Sequence, residues 1–202
     1  MSTIVAAVKN GVACIAADSL TSFGDTKQSA EFVVNSDKIL SLPNSTMSAD
    51  SLSMTYMGIV GSAAHHLVLQ NLVVDHADKV DLSDRMSIFI TLKTIHPILK
   101  EEYFLNSKEE DEDSYESSRV DALIMNENGI FGLYSLREVE QYSRFWAVGS
   151  GSEFALGAMQ TAYEIYDTAE QIAQAGVVAG ATFDNASSLP MTSYTLKLKQ
   201  RS

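Results

Sequence analysis

Short apolar runs bounded by turn residues occur along this chain together with longer stretches whose apolar residues recur at helical spacing. Residues 3–8 and 12–17 are rich in small and β-branched side chains, and the Asn10-Gly11 pair between them favours a tight type I′ turn. The chain is therefore expected to open with a β-hairpin. Later apolar runs predict further strands that begin at 38 and that cover 54–60, 122–125, 130–134, 145–148 and 194–198.

The longer stretches with helical spacing predict two pairs of helices. The first pair lies after Gly61, and the second begins after the loop at 149–152, with its last helix over residues 169–182. Ser83 is the expected N-cap of the second helix, and Pro97 within that helix predicts a kink because proline lacks a backbone N–H. Strands and helices thus come in blocks, which predicts an α+β fold of stacked layers and argues against an alternating α/β sheet.

The composition fits one or at most two compact domains and argues against a nucleic-acid-binding surface. The 202 residues are 46% hydrophobic and include only 3 prolines, so the chain can bury a sizeable core. The formal net charge of -12 opposes binding to a phosphate backbone, which depends on clustered Lys and Arg. Much of the negative charge lies at residues 109–113 and at Glu116, where mutual repulsion favours a solvated loop over a metal site.

The cysteine content and the apolar runs predict a cytoplasmic protein. Cys14 is the only cysteine, so no disulfide can form within the chain. The apolar start is interrupted by Lys9, Asn10 and Gly11, which argues against a secretory signal. No apolar run reaches the roughly 20 residues that a membrane span requires, so no membrane partner is expected.

The second residue carries potential chemistry. Methionine aminopeptidases generally trim Met before a small residue, and loss of Met1 would leave Ser2 with a free α-amine beside its hydroxyl. An α-amine titrates near about pH 8, so part of it is neutral and can take the hydroxyl proton. One residue would then supply both nucleophile and base. By itself, the same pattern also describes an ordinary trimmed and inert terminus.

Four short motifs, spread over nearly the whole chain, are specific as a set. They are residues 2–5 (Ser-Thr-Ile-Val), 16–18 (Ala-Ala-Asp), 58–61 (Gly-Ile-Val-Gly) and 149–152 (Gly-Ser-Gly-Ser). With these motifs the chain resembles proteasome β-subunits and the bacterial peptidase HslV. The family has a catalytic aspartate sixteen residues after its nucleophile, and Asp18 has this separation from Ser2. The resemblance implies one domain over 1–202 with the four-layer αββα sandwich of N-terminal nucleophile (Ntn) hydrolases.

The resemblance assigns catalytic roles to Asp18 and Lys38. Lys38 resembles the family lysine, whose positive charge lowers the pKa of the neighbouring amine and hydroxyl, while Asp18 orients that lysine. The alternative for each residue is a surface ion pair. Gly58 resembles the residue whose backbone N–H stabilises the tetrahedral oxyanion, and its alternative is a strand bulge.

Three further residues resemble those that orient the terminal amine. They are Ser150, Asp184 and Ser187. The alternatives are ordinary structural roles, because residues 149–151 could form a plain turn and Asp184 could be the polar end of a helix.

The substrate pocket is expected on one face of the strand at 54–60. Strand side chains alternate, so Tyr56 and Val60 share a face with Gly58 and can border the bound side chain. By family position, the rest of the pocket is lined by Thr21, Ser22 and Ser36. A tyrosine would narrow this pocket and favour small or polar substrate side chains. Alternatively, Tyr56 packs only against the core.

The histidines do not predict a metal site. His65 and His66 are adjacent on a helix and point about 100° apart, so they cannot share one face. His76 and His96 also lack the spacing of metal ligands. We therefore expect neither a metal nor another cofactor.

The resemblance implies a peptidase subunit that cleaves unfolded polypeptides. Self-association into stacked rings would enclose the active sites, and an ATPase unfoldase ring is a further partner that the family allows. A serine departs from the usual threonine nucleophile and lacks the γ-methyl that helps to fix the hydroxyl rotamer. Two alternatives remain open: an inactive ring subunit that keeps Met1, and an Ntn amidase that is not enclosed in rings.

Overall fold

The secondary structure follows the blocks of strands and helices seen in the sequence. A computed structural model describes residues 2–43, 54–108 and 114–200, so Met1 and the acidic run at 109–113 lie outside the described residues. The strands are β1 (Ile4–Lys9), β2 (Val12–Asp18), β3 (Thr21–Phe23), β4 (Thr26–Gln28), β5 (Ile39–Pro43), β6 (Met54–Val60), β7 (Asp121–Asn126), β8 (Gly129–Leu133), β9 (Val139–Tyr142), β10 (Phe145–Val148) and β11 (Met191–Lys197). The helices are α1 (Ala63–Asp75), α2 (Arg85–Glu101), α3 (Ser152–Ile165) and α4 (Ala169–Phe183).

Two antiparallel sheets form the inner layers. One sheet has the strand order β10-β1-β2-β11, and the other has the order β5-β6-β7-β8-β9. Their facing sides share an apolar cluster that includes Ile4 and Ile15 from the first sheet and Leu123 and Ile130 from the second. These four side chains are fully buried, so the sheets pack directly on each other.

One pair of helices covers the outer face of each sheet. Helices α3 and α4 pack on the four-stranded sheet through small and apolar side chains such as Val5, Cys14 and Met159. Helices α1 and α2 pack on the five-stranded sheet, where Leu72 and Ile88 are fully buried. The layers therefore run helix, sheet, sheet, helix, which confirms the expected α+β sandwich.

Both predicted hairpins are present, and their turns explain the positions of the strands. Asn10 and Gly11 have φ of 51° and 74°, as a type I′ turn requires, and they join β1 to β2. Asn126 pairs with Gly129 across the second hairpin, between β7 and β8. Pro97 lies inside α2, as expected. Among the described helices, none is long and apolar enough to cross a membrane.

The predicted cap of α2 was wrong by one residue. Asp84 is the N-cap, and its carboxylate accepts hydrogen bonds from the amides of Met86 (2.8 Å) and Ser87 (2.9 Å). Ser83 instead offers its carbonyl to the side-chain amide of Asn128 at 3.0 Å. A carboxylate that accepts two of the free amides at the helix start is a stronger cap than a hydroxyl because it also carries negative charge.

Candidate active site

The candidate catalytic residues come together at one end of the four-stranded sheet. Antiparallel pairing places Ile4 opposite both Ala17 and Val148, and Met191 opposite Asp18. The start of β1, the end of β2, the end of β10 and the start of β11 therefore meet. Ser2 lies just before β1, and it is buried with an exposed fraction of 5%.

Asp18 is fully buried and surrounded by donors. One carboxylate oxygen accepts from the amide of Thr3 (2.9 Å) and from Nζ of Lys38 (2.8 Å). The other accepts from the amides of Leu20 (3.0 Å) and Ser188 (3.1 Å). Because four donors replace water around a buried carboxylate, Asp18 can form an ion pair in the interior.

Lys38 connects the two sheets. It lies one residue before β5 in the five-stranded sheet, while its ammonium reaches Asp18 at the end of β2 in the other sheet. Burial lowers the pKa of Lys38, and the neighbouring carboxylate of Asp18 partly opposes that effect. The ammonium of Lys38 is thus paired with a carboxylate in a site that is largely closed to water, an arrangement of the kind that can tune a nucleophile.

Asp184, Ser150 and Ser187 form a second polar group, which contacts the side chain of Thr3. Asp184 Oδ2 accepts hydrogen bonds from the hydroxyls of Ser150 and Ser187, each at 2.7 Å. Burial alone would raise the pKa of Asp184, but these two hydrogen bonds and the amide of Ala186 lower it below its ordinary value. Since Ser187 gives its only hydroxyl proton to Asp184, the 2.7 Å contact between Ser187 Oγ and Thr3 Oγ1 has Thr3 as donor.

Glycines allow the backbone around Ser2 and Thr3 to approach closely. A Cβ at Gly149, which has φ of +96°, would lie 2.1 Å from the carbonyl oxygen of Ser2. A Cβ at Gly151 would lie 2.0 Å from Thr3 Oγ1, and one at Gly180 in α4 would lie 2.3 Å from the same atom. The Gly-Ser-Gly loop and α4 therefore hold the start of β1 from two sides.

Gly58 and Tyr56 contact apolar and aromatic side chains of the other sheet. Tyr56, Gly58 and Val60 share the inner face of β6, as the strand pattern predicts. The Tyr56 ring stacks on Tyr194 with centroids 4.7 Å apart, and a Cβ at Gly58 would lie 2.6 Å from Ile4 Cγ2. Val60 is nearer to the site, since its Cγ1 lies 3.2 Å from the position of a Cβ at Gly149.

The remaining predicted pocket residues lie on strand β3 and on the segment before Lys38. Thr21 and Ser22 are half-buried on β3, and Ser36 is half-buried two residues before Lys38. Their contact with a substrate stays a prediction. Among residues 2–43, 54–108 and 114–200, no three His, Cys, Asp or Glu side chains gather as metal ligands would.

Sequence reasoning missed several residues that build the site. Thr3 is fully buried and supplies its amide to Asp18 and its hydroxyl to Ser187. The amides of Leu20 and Ser188 complete the shell of Asp18, but a backbone amide leaves no signature in a sequence. Gly180 had a possible signal, because a glycine inside a helix is unfavourable unless another chain segment comes close.

Solved structures match the fold of the chain, whereas no protein-family model and no curated protein matches it. The bacterial proteasome homologue BPH of Thiobacillus denitrificans is 38% identical, with a TM-score of 0.87 over 98% of this chain and all 100% of its own. A structure of the same BPH in complex with epoxomicin is also 38% identical, with a TM-score of 0.85 and the same coverage. Eukaryotic HslV from Trypanosoma brucei, at 16% identity, gives a TM-score of 0.67 over 96% of this chain and 99% of its own.

Proposed function

Because the chain belongs to the same family as the bacterial proteasome homologue BPH and shares the fold of HslV, we propose that it hydrolyses peptide bonds with Ser2 as its nucleophile. The observation that carries the proposal is the largely buried Lys38–Asp18 ion pair of 2.8 Å, which lies beside the start of β1. Asp18 is linked to the residue next to Ser2 through the amide of Thr3. A buried ion pair of this kind is costly to assemble, and the tuning of a reactive group gives it a reason to exist.

Contacts of the neighbouring hydroxyl favour Ser2 over Thr3 as the nucleophile. Thr3 is fully buried, and its hydroxyl is enclosed by Gly151, Gly180 and Ser187. As long as Ser2 precedes it, the nitrogen of Thr3 is a peptide N–H that donates to Asp18 and cannot act as a base. Ser2 lies before this enclosed residue in the chain. It is sixteen residues before Asp18, which is the separation between nucleophile and aspartate in the family.

The proposed reaction needs the α-amine of Ser2 and therefore the removal of Met1. The amine takes the hydroxyl proton as Ser2 Oγ attacks the substrate carbonyl carbon. The peptide C–N bond then breaks, the proton passes to the leaving nitrogen, and an ester to Ser2 remains. Water, deprotonated by the same amine, hydrolyses the ester and restores Ser2. Lys38 favours the neutral amine and the developing alkoxide by its positive charge.

We place the oxyanion donor at the amide of Gly61, three residues beyond the glycine expected from the resemblance. The amide of Ile59 donates to the carbonyl of Lys38 at 3.3 Å. Alternate residues of a strand point to the same side, so the amide of Gly61 also points to the side of Lys38, beyond the paired part of β5. By the same rule, the amide of Gly58 points into the ladder with Leu123.

Enclosure of the active site in stacked rings, with unfolded polypeptides as substrates, is the second part of the proposal. BPH and HslV are proteasome-like relatives over nearly the full length of both chains. The chain also exposes large apolar side chains that a ring interface would cover, such as Val34 (99% exposed), Phe104 (86%) and Phe32 (78%). An ATPase unfoldase remains a candidate partner from the family resemblance.

Mass and activity measurements on matched variants test the nucleophile. We expect the intact mass of the purified protein to lack Met1, and Ser2→Ala to abolish hydrolysis of a fluorogenic peptide library without changing the assembly. Ser2→Thr is the control, because it keeps a hydroxyl and adds the γ-methyl that fixes its rotamer. Epoxomicin, which one BPH structure contains, is expected to inhibit the wild type.

Other outcomes would favour the alternatives. Retained Met1 together with no hydrolysis would identify an inactive ring subunit. Hydrolysis of small amides by a monomer or dimer would identify an amidase outside a ring. Undiminished peptide hydrolysis by Ser2→Ala would exclude Ser2 as the nucleophile.

A further inference from the structure

Asp37, which immediately precedes Lys38, is bonded to the edge strand of the opposite sheet. One carboxylate oxygen accepts from the hydroxyl of Thr192 at 2.8 Å and from the amide of Ile39 at 2.9 Å. The other accepts from the hydroxyl of Tyr194 at 2.6 Å. Thr192 and Tyr194 are two residues apart on β11, so both side chains lie on the same face of that strand.

This arrangement spans the same gap between sheets as the catalytic ion pair. Lys38 reaches Asp18, and antiparallel pairing places Met191 of β11 opposite Asp18. Asp37 reaches Thr192, the next residue of β11. Two adjacent residues before β5 are thus bonded to two adjacent strands of the other sheet.

Lys38 needs such a support because it lies outside the regular part of β5. The strand begins at Ile39, and the carbonyl of Lys38 accepts a hydrogen bond from the amide of Ile59 at 3.3 Å. The preceding residues, such as Val34, are largely exposed. Asp37 therefore fastens a segment that lies outside the strand and leads directly to Lys38.

We propose that Asp37, Thr192 and Tyr194 form a positioning unit that fixes Lys38 for catalysis by fastening the segment before β5 to β11. The inference rests on the proposed function of Lys38. None of the three residues is placed in contact with the substrate. They act through Lys38, whose misplacement by about 1 Å is enough to reduce a catalytic rate by about 100-fold.

An aromatic contact of Tyr194 makes this positioning unit more rigid. The ring of Tyr194 stacks on Tyr56 with centroids 4.7 Å apart and an interplanar angle of 20°. Hydrogen bonding to Asp37, followed by burial, raises the pKa of Tyr194 to about 12. The phenol therefore stays a donor to Asp37 throughout the neutral pH range. Tyr56, expected to shape the pocket, here supports the residue that holds Asp37.

The test removes the hydroxyls while it keeps the shape of the side chains. The Tyr194→Phe, Thr192→Val double variant leaves the stack on Tyr56 and the volume of β11 unchanged. We expect kcat to fall by about 10- to 100-fold, with KM changed by less than about threefold. Asp37→Ala should match the double variant, whereas Asp37→Asn, which can still accept from Thr192 and Ile39, should recover most of the rate. Tyr103→Phe is the matched control, because it removes a 2.7 Å hydroxyl bond to Asn71 near the ends of α1 and α2.

A second readout does not depend on activity. In protein with labelled lysine, the NMR titration of Lys38 should move toward the ordinary pKa of a lysine in the double variant and stay unchanged in Tyr103→Phe. If the wild type proves inactive, the proposed function fails, while this titration still tests the positioning of Lys38. An unchanged kcat together with an unchanged Lys38 titration would overturn the proposal. An equal loss of kcat in Tyr103→Phe would also overturn the proposal, because the loss would then reflect general destabilisation of the protein.

Discussion

At the residue scale, the carboxylate of Asp18 shows how the site can hold charge away from water. Three of its four donors are backbone amides, which are fixed by the fold, and only Lys38 is supplied by a side chain. The three amides therefore hold the carboxylate in place independently of Lys38. In the proposed mechanism, Lys38 is also the cation beside the nucleophile, so its removal is an informative experiment.

Replacement of Lys38 by alanine should separate activity from stability. We expect Lys38→Ala to lower kcat/KM by about 100- to 10,000-fold, since alanine supplies no positive charge beside the nucleophile. The free energy of unfolding should fall by only about 1–3 kcal/mol, because three amides still satisfy Asp18. Peptide hydrolysis and urea unfolding measure the two effects. Lys199→Ala, which breaks an exposed ion pair with Glu127, is the control and should change neither by much. A Lys38→Ala rate within a few fold of wild type would place the catalytic cation elsewhere.

Cys14 provides a residue-scale probe of the interior. The thiol is fully buried between β2 and the helices α3 and α4. Burial, with a smaller contribution from Glu170, raises the pKa of Cys14 to about 12, so the reactive thiolate is scarce at neutral pH. We expect a thiol reagent at about pH 8 to label native protein far more slowly than urea-unfolded protein. Rapid labelling of the native protein would mean that the helix layer opens readily.

At the element scale, the long apolar patterns were predicted well and the short polar strands were not. Helices α1 to α4 and both predicted hairpins have enough residues for their periodicity to be read. The hairpin of β3 and β4 has only three residues in each strand, none of them buried, so no apolar alternation marks it. The same applies to β9, whose middle residues are exposed at the sheet edge.

The packing of α4 on β1 offers an element-scale prediction. A Cβ at Gly180 would lie 2.3 Å from Thr3 Oγ1 and 2.4 Å from Thr3 Cγ2, so Gly180→Ala must separate the helix from the strand. We expect the free energy of unfolding to fall by about 1–3 kcal/mol, with a loss of hydrolysis as Thr3 and Ser2 move. Gly157→Ala is the matched control in α3, where a Cβ would meet nothing within 4 Å. That variant should gain about 0.5–1 kcal/mol from helix propensity. Equal stability of the two variants in urea unfolding would contradict the close packing.

At the scale of the whole molecule, the layers could be predicted from the sequence but the assembly of the site could not. Blocks of strands and helices indicate stacked layers, whereas nothing in their order says that Ser2, Lys38 and Asp184 meet. Family resemblance supplied those positions. It also suggested Gly58 as the oxyanion donor, whereas our proposal of Gly61, three residues later in the same motif, is argued from the strand register.

Enclosure in rings makes a prediction about which substrates the whole molecule can reach. Light scattering should give a mass many times the 22.0 kDa of one chain. If the active sites face an inner chamber, an unfolded, carboxymethylated protein should be degraded, while the same protein in its folded, disulfide-bonded form should be spared because it cannot enter.

A short fluorogenic peptide controls for the active site, and it should be cut in the presence of either form. Assembly and peptide cleavage should both survive Lys199→Ala, which changes only an exposed pair. A monomer or dimer, or equal degradation of the folded and unfolded forms, would contradict the enclosed arrangement and favour an open amidase.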